Sequence, residues 1–108
     1  MSIVTKVKNK DDFGKRKIGG NVYEYSHHYP RMAKNDFLIY YYPENRAIGI
    51  YQVTAEEEFY EKDGFQYCRG RMARYEKSAA EFVDFIKERN AKLATQFETI
   101  IMDLINKN

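Results

Sequence analysis

The run from Asn35 to Val53 constrains this chain more than any other part of it. Aromatic and β-branched residues fill two arms, and Pro43-Glu44-Asn45-Arg46 between them supplies a fixed φ, polar turn formers and no apolar load. The run reads as two long strands folded back on each other. Side chains alternate along a strand, so Phe37, Ile39 and Tyr41 face one way while Leu38, Tyr40 and Tyr42 face the other. A ribbon greasy on both faces belongs in the middle of a sheet or barrel. One side is covered by core, the other by a helix or a ligand.

A chain of 108 residues is sized for one domain and one core. Its ten Tyr and seven Phe, with no Trp, mean that much of the apolar surface comes from rings, most of them with a polar tip. Such rings suit a core and a stacking surface equally. The net charge of +2 predicts no partner, but its distribution is uneven. Residues 1–35 carry eight Lys/Arg against three Asp/Glu, residues 36–63 carry two against seven, and residues 64–75 carry Arg69, Arg71 and Arg74 with no acid. Two basic segments meeting in space would make a positive face, the footprint of a polyanion binder. Cys68 is the single cysteine, which argues against a disulfide framework or a cysteine metal site and for a reducing compartment. With no apolar leader at the N-terminus and no run of eighteen apolar residues, a soluble cytoplasmic protein is expected.

The remaining segments fall around the central ribbon. Residues 2–8 read as a short strand, and residues 9–20 gather Lys, Asp, Gly and Arg into what looks like a basic loop. Residues 22–26 alternate as a strand. Phe59–Lys62 and Phe65–Arg74 bracket Asp63-Gly64, a pair that tolerates the positive φ of a type I′ hairpin turn. Gly70 inside the second arm marks a bulge or a close backbone approach. After Glu76 the pattern changes period: Ala79, Val83, Ile86, Asn90, Leu93, Phe97, Ile100 and Leu104 step by alternating fours and threes. The expected fold is α+β, a small twisted antiparallel sheet or barrel of five or six strands over residues 1–75, followed by one long helix over residues 76–108. One unbroken helix would overhang such a sheet, and Asn90 in its seam is the kind of residue that fixes register in paired helices. A homodimer through Val83, Ile86, Asn90, Leu93, Phe97, Ile100 and Leu104 is therefore expected, with a break near Arg89-Asn90 as the alternative.

Chemistry narrows by elimination. His27 and His28 are adjacent, so on a strand they face opposite ways, and no second pair of ligands is spaced to complete a metal site. No glycine-rich loop leads from a strand into a helix N-terminus, which disfavours nucleotide hydrolysis. No nucleophile or oxyanion motif supports catalysis, although either histidine suits proton transfer. No cofactor is implied. What remains is aromatic plus basic: Tyr23, Tyr25, Tyr40 and Tyr42 for rings, Lys15-Arg16-Lys17 and Arg69, Arg71 and Arg74 for phosphates. Rings beside a cationic groove hold unpaired bases, each stacked base contributing about 1–3 kcal/mol. The leading expectation is a non-catalytic nucleic-acid binding module. Tyr25, Tyr40 and Tyr42 would stack, His28 would sit near the base edge, and Lys15, Arg16, Arg69 and Arg71 would track the backbone.

The segment Lys34–Tyr41, with Ala47-Ile48-Gly49-Ile50-Tyr51-Gln52-Val53 after the turn, resembles the PUA-like superfamily and its EVE branch. Those domains carry a lysine-glycine-aspartate turn, a strand ending in paired aromatics, a short loop and an Ile-Val-Gly-Ile-x-x-Val strand. Asn35 stands here for the glycine. The resemblance covers about 40 residues, and Asp36, Tyr41 and Gly49 match positions with structural roles. It implies a small twisted barrel whose pocket accepts a flipped and often modified base, so unpaired or modified bases are the expected ligands. Two readings from other classes stand beside it. One is a small inhibitor or adaptor that engages another protein through the C-terminal helix and Glu56-Glu57-Glu58. The other is a binder of a small nucleotide ligand.

Overall fold

The computed structural model describes residues 3–7, 15–27 and 32–107. Seven strands precede two helices: β1 (Ile3–Val7), β2 (Lys15–Gly19), β3 (Val22–His27), β4 (Phe37–Tyr42), β5 (Ala47–Val53), β6 (Glu58–Lys62), β7 (Phe65–Arg74), α1 (Ala79–Lys87) and α2 (Ala91–Lys107). They form one sheet in the order β1-β4-β5-β7-β3-β2, with β6 also paired to β7. Strand β1 runs parallel to β4, and every other pairing is antiparallel. The sheet stays open, its end strands β1 and β2 unpaired with each other among the described residues. The architecture is α+β.

The turns follow their chemistry. Strands β4 and β5 pair from Phe37↔Gln52 to Tyr42↔Ala47, leaving Pro43–Arg46 as the tip. Asn45 donates to the Tyr42 carbonyl at 3.2 Å and Arg46 closes the turn at positive φ (51°). Asp63 and Gly64, at φ 54° and 81°, make the two-residue link of the β6–β7 hairpin. Asn35 sits at φ 76°, a conformation that Asn tolerates better than most side chains. Among the strands one departs from expectation: Lys15–Gly19, read as loop, is strand β2. It pairs with β3 through a bulge between Lys17 and Gly19.

The central ribbon is buried on both faces, as its alternation demands. Phe37, Ile39, Tyr41 and Ile50 face the helices and pack with Phe82, Val83, Ile86, Ala94, Phe97, Ile101 and Leu104. Phe97 lies edge-on to Phe37 (5.1 Å between centroids) and to Phe82 (4.8 Å). Leu38, Tyr40, Tyr51 and Val53 face the other way, into a second core with Tyr25, Met32 and Met72. That second core is closed by the sheet itself. Strands β7, β3 and β2 curl back over β4 and β5, so that Lys15 on the end strand β2 donates to the hydroxyls of Tyr42 and Tyr51.

The C-terminal third is two helices rather than one. Asn90 ends the continuity: its side-chain oxygen accepts the Leu93 N–H at 3.1 Å, an N-cap for α2. Ser78 and Glu81 form a reciprocal capping box that starts α1. Along the seam, Val83, Ile86, Phe97 and Leu104 are buried against the sheet of this chain, Leu93 and Ile100 pack partly against the same core, and Asn90 is exposed as a cap. No helix among the described residues is long and apolar enough to cross a membrane.

Candidate functional site

The inner, concave face of the curled sheet holds a hollow of about 310 Å³. Part of its wall is legible in the register. Small residues at Ala47 and Gly49 on β5 stand opposite Tyr42 and Tyr40 on β4, and both small residues line the hollow. The Tyr51 ring folds back over Gly49, where a Cβ would meet the ring edge at 3.0 Å. Lys15 and Lys17 from β2, Tyr23 from β3, Tyr42 and Tyr51 from β4 and β5, and Arg74 at the end of β7 line the rest.

Lys15 sits at the centre of a set of rings. Its ammonium donates to the Tyr51 hydroxyl at 2.7 Å and to the Tyr42 hydroxyl at 3.0 Å. It also lies 4.5 Å from the Tyr40 ring centroid, 4.7 Å from that of Tyr51, 5.3 Å from Tyr23 and 5.6 Å from Tyr42. Ring quadrupoles and hydroxyl dipoles hold the cation in place of water, with each ring contributing on the order of 0.5–2 kcal/mol. The tyrosines brace one another, Tyr23 edge-on to Tyr51 at 5.3 Å and Tyr40 edge-on to Tyr51 at 5.3 Å. The result is a positive charge fixed in position before any ligand arrives.

Behind the hollow lies a polar contact of another kind. Glu57, nearly buried, accepts the Tyr25 hydroxyl at 2.6 Å and the Met32 backbone N–H at 2.7 Å. Burial, then the hydrogen bond to Glu57 and its charge, hold the Tyr25 hydroxyl well above the usual tyrosine range. Gly70 of β7 pairs opposite Tyr25, and a Cβ there would fall within the Tyr25 ring and hydroxyl. This is the close backbone approach expected of Gly70, and it makes Tyr25 a structural post.

The residues expected to form one base-reading surface divide between two faces. Lys15 and Tyr42 are in the hollow. Tyr25 and Tyr40, each 3% exposed, are core residues beneath it and have no ring face to offer. Arg16 follows Lys15 on the strand, so it points to the convex face, where it pairs with Glu24 at 3.2 Å. Arg69 and Arg71 share the parity of that outer face, with Arg69 over the Tyr60 ring at 5.1 Å. Strand alternation is the cause: on β7 it is Gly70, Met72 and Arg74 that turn inward. His28 lies outside the described residues. From sequence alone Tyr51 reads as core, as a tyrosine mid-strand does. Its ring is core, and its hydroxyl reaches the site. Among the described residues no group of three or more His, Cys, Asp or Glu side chains converges as a metal site would require. Scans of protein-family models, curated proteins and solved structures return no match to this chain.

Proposed function

We propose that the concave face binds nucleic acid, taking one nucleotide of an unpaired strand into the hollow. One observation carries this reading: Lys15, Lys17 and Arg74 share a single concavity with Tyr23, Tyr42 and Tyr51, and among the described residues no carboxylate lines it. Cations on a partly enclosed wall attract an anion more strongly than the same charges in open water. A base drawn from its stack loses stacking energy, which the half-buried Tyr23 and Tyr42 rings are placed to restore. A hollow of about 310 Å³ is at the small end of ligand pockets and suits one unit rather than a run of bases. A base-accepting pocket on a small curved sheet is also what the resemblance to EVE-like domains implies, and that resemblance forms part of this proposal. The same size suits a free mononucleotide, the second reading, which thermal denaturation against a nucleotide panel detects as a raised melting temperature.

Fluorescence anisotropy with short single-stranded DNA and RNA tests the proposal. Neutralisation of phosphate by these cations predicts a negative slope in log K against log salt between about 50 and about 300 mM, about −0.7 for each phosphate engaged. Lys17→Gln and Arg74→Gln, both at exposed positions that leave the cores intact, are expected to weaken binding and to flatten that slope. Affinity indifferent to salt and to both substitutions sinks the reading.

A further inference from the structure

We infer that α2 is an exchangeable element: the α1–α2 turn opens, residues 79–107 become one straight helix, and two copies of this chain each lay α2 on the other's sheet. The backbone at the turn is the first observation. Asn90 donates to the Ile86 carbonyl at 2.7 Å, and Ala94 donates to the Asn90 carbonyl at 3.1 Å, both at the spacing of an α-helix. Helical bonding thus stops at Asn90 and resumes four residues later, with the Leu93 N–H turned to the Asn90 side-chain oxygen. Nothing in the backbone compels the stop. Glu88 keeps right-handed helical geometry (φ −65°, ψ −24°), and no residue of the turn takes the positive φ that commonly ends a helix.

The sequence across the turn favours continuity. Lys87, Glu88, Arg89, Ala91 and Lys92 are good helix formers, with neither Gly nor Pro among them. In the closed form two exposed charges oppose the helix dipoles, Glu88 at the C-terminal end of α1 and Lys92 in the first turn of α2. In one straight helix both conflicts disappear, and the two residues stand four apart with the acid first, a favourable pair. The apolar spacing also passes through the break in phase, with Val83 and Ile86 before it and Leu93 and Phe97 after it. What keeps the turn closed is the Asn90 cap and the burial of α2, and burial is blind to which copy supplies the helix.

Straightening demands that second copy. Phe97 lies edge-on to Phe82 at 4.8 Å and to Phe37 at 5.1 Å. In one straight helix Phe82 and Phe97 stand roughly 22 Å apart along the axis, at about 1.5 Å per residue. A lone straightened chain strips Ala94, Phe97, Ile101 and Leu104 from the core, a loss that a partner's α2 repairs contact for contact.

The test refolds the full chain from urea at about 10 μM to about 1 mM protein and reads mass by sedimentation. A dimer fraction that grows with refolding concentration is expected. Asn90→Ala removes the cap in both copies and should raise the dimerisation constant about tenfold or more. Lys92→Glu, at an exposed position, sets like charges four apart in the straight helix and suits the closed one, so it should lower that constant about tenfold. In the isolated dimer the amides of Ala91, Lys92 and Leu93 should exchange with solvent at least about tenfold more slowly than in the monomer, because they join a continuous helix. A dimer whose amides at these positions exchange as in the monomer is a pair of closed protomers and overturns the inference. Absence of dimer from both the parent and Asn90→Ala at about 1 mM overturns it as well. Should Asn90→Ala fail to fold, equal dimerisation of the parent and Lys92→Glu overturns it instead.

Discussion

The Tyr25 hydroxyl donates to Glu57 at 2.6 Å where neither group is open to water, and its ring crosses β7 at the one position that has no side chain. Gly70→Ala sets a gain in strand propensity of about 0.5–1 kcal/mol against overpacking of about 1–3 kcal/mol. The clash is with a ring clamped at its far end, so overpacking wins, and urea denaturation should show a net loss. Tyr25→Phe withdraws a donor from Glu57 and should itself cost about 1–3 kcal/mol. With the hydroxyl gone, Gly70→Ala should cost less in that background than alone, a coupling that a double-mutant cycle reads directly. The same hydroxyl predicts a pH effect. In the unfolded chain tyrosine ionises near 10, whereas in the fold Tyr25 keeps its proton to higher pH because burial and Glu57 disfavour the anion. Its contribution is therefore fully present below about pH 10 and is lost as pH rises above that, at up to about 1.4 kcal/mol per pH unit. Denaturation midpoints between about pH 8 and about pH 11 should fall more steeply for the parent chain than for Tyr25→Phe, and parallel curves would contradict the assignment.

Asn90 shows how an element boundary hides in a sequence. Its place in a seam of fours and threes suits an unbroken helix, yet its short side chain also caps, and here it accepts from Leu93 at 3.1 Å. Both α1 and α2 lay the same seam on one sheet, so the spacing survives the break and the pattern alone does not reveal it. Asn90→Ala should cost about 1 kcal/mol in chemical denaturation and Asn90→Asp close to nothing, because aspartate caps as well. An Ala variant as stable as the parent would mean that the α1–α2 turn is held by packing alone. Strand β2 was hidden for a different reason. Lys15-Arg16-Lys17-Ile18-Gly19 has no apolar alternation, and backbone pairing to β3 together with the tyrosines around Lys15 holds it in the sheet. Those are tertiary terms that a local reading does not contain. The β4–β5 and β6–β7 hairpins were legible because period-two alternation and turn chemistry are local. The lining of the candidate hollow, rings beside cations, is of the kind the composition suggests, while the choice among cations needs the register that turns Arg74 inward and Arg71 out.

At the scale of the whole molecule, one ribbon joins two cores. Ile39 faces the helices and Leu38, the next residue, faces the curled half of the sheet that carries the hollow; both are at most 1% exposed. Adjacent side chains on one strand thus tie the helical layer to the tyrosine layer through the same backbone hydrogen bonds. Loosening either side releases the register of β4 against β5, and that register places Ala47 and Gly49 opposite Tyr42 and Tyr40 in the wall of the hollow. Ile39→Ala and Leu38→Ala should each cost about 2–5 kcal/mol from lost burial and the cavity left behind. Because the ribbon is shared, each should shift one common transition, with helical far-UV dichroism and tyrosine near-UV dichroism changing together. If Ile39→Ala melted the helical signal while the tyrosine signal held, the two layers would be separable. The hollow would then have to be treated as a feature of the curled sheet alone, with a stability independent of α1 and α2.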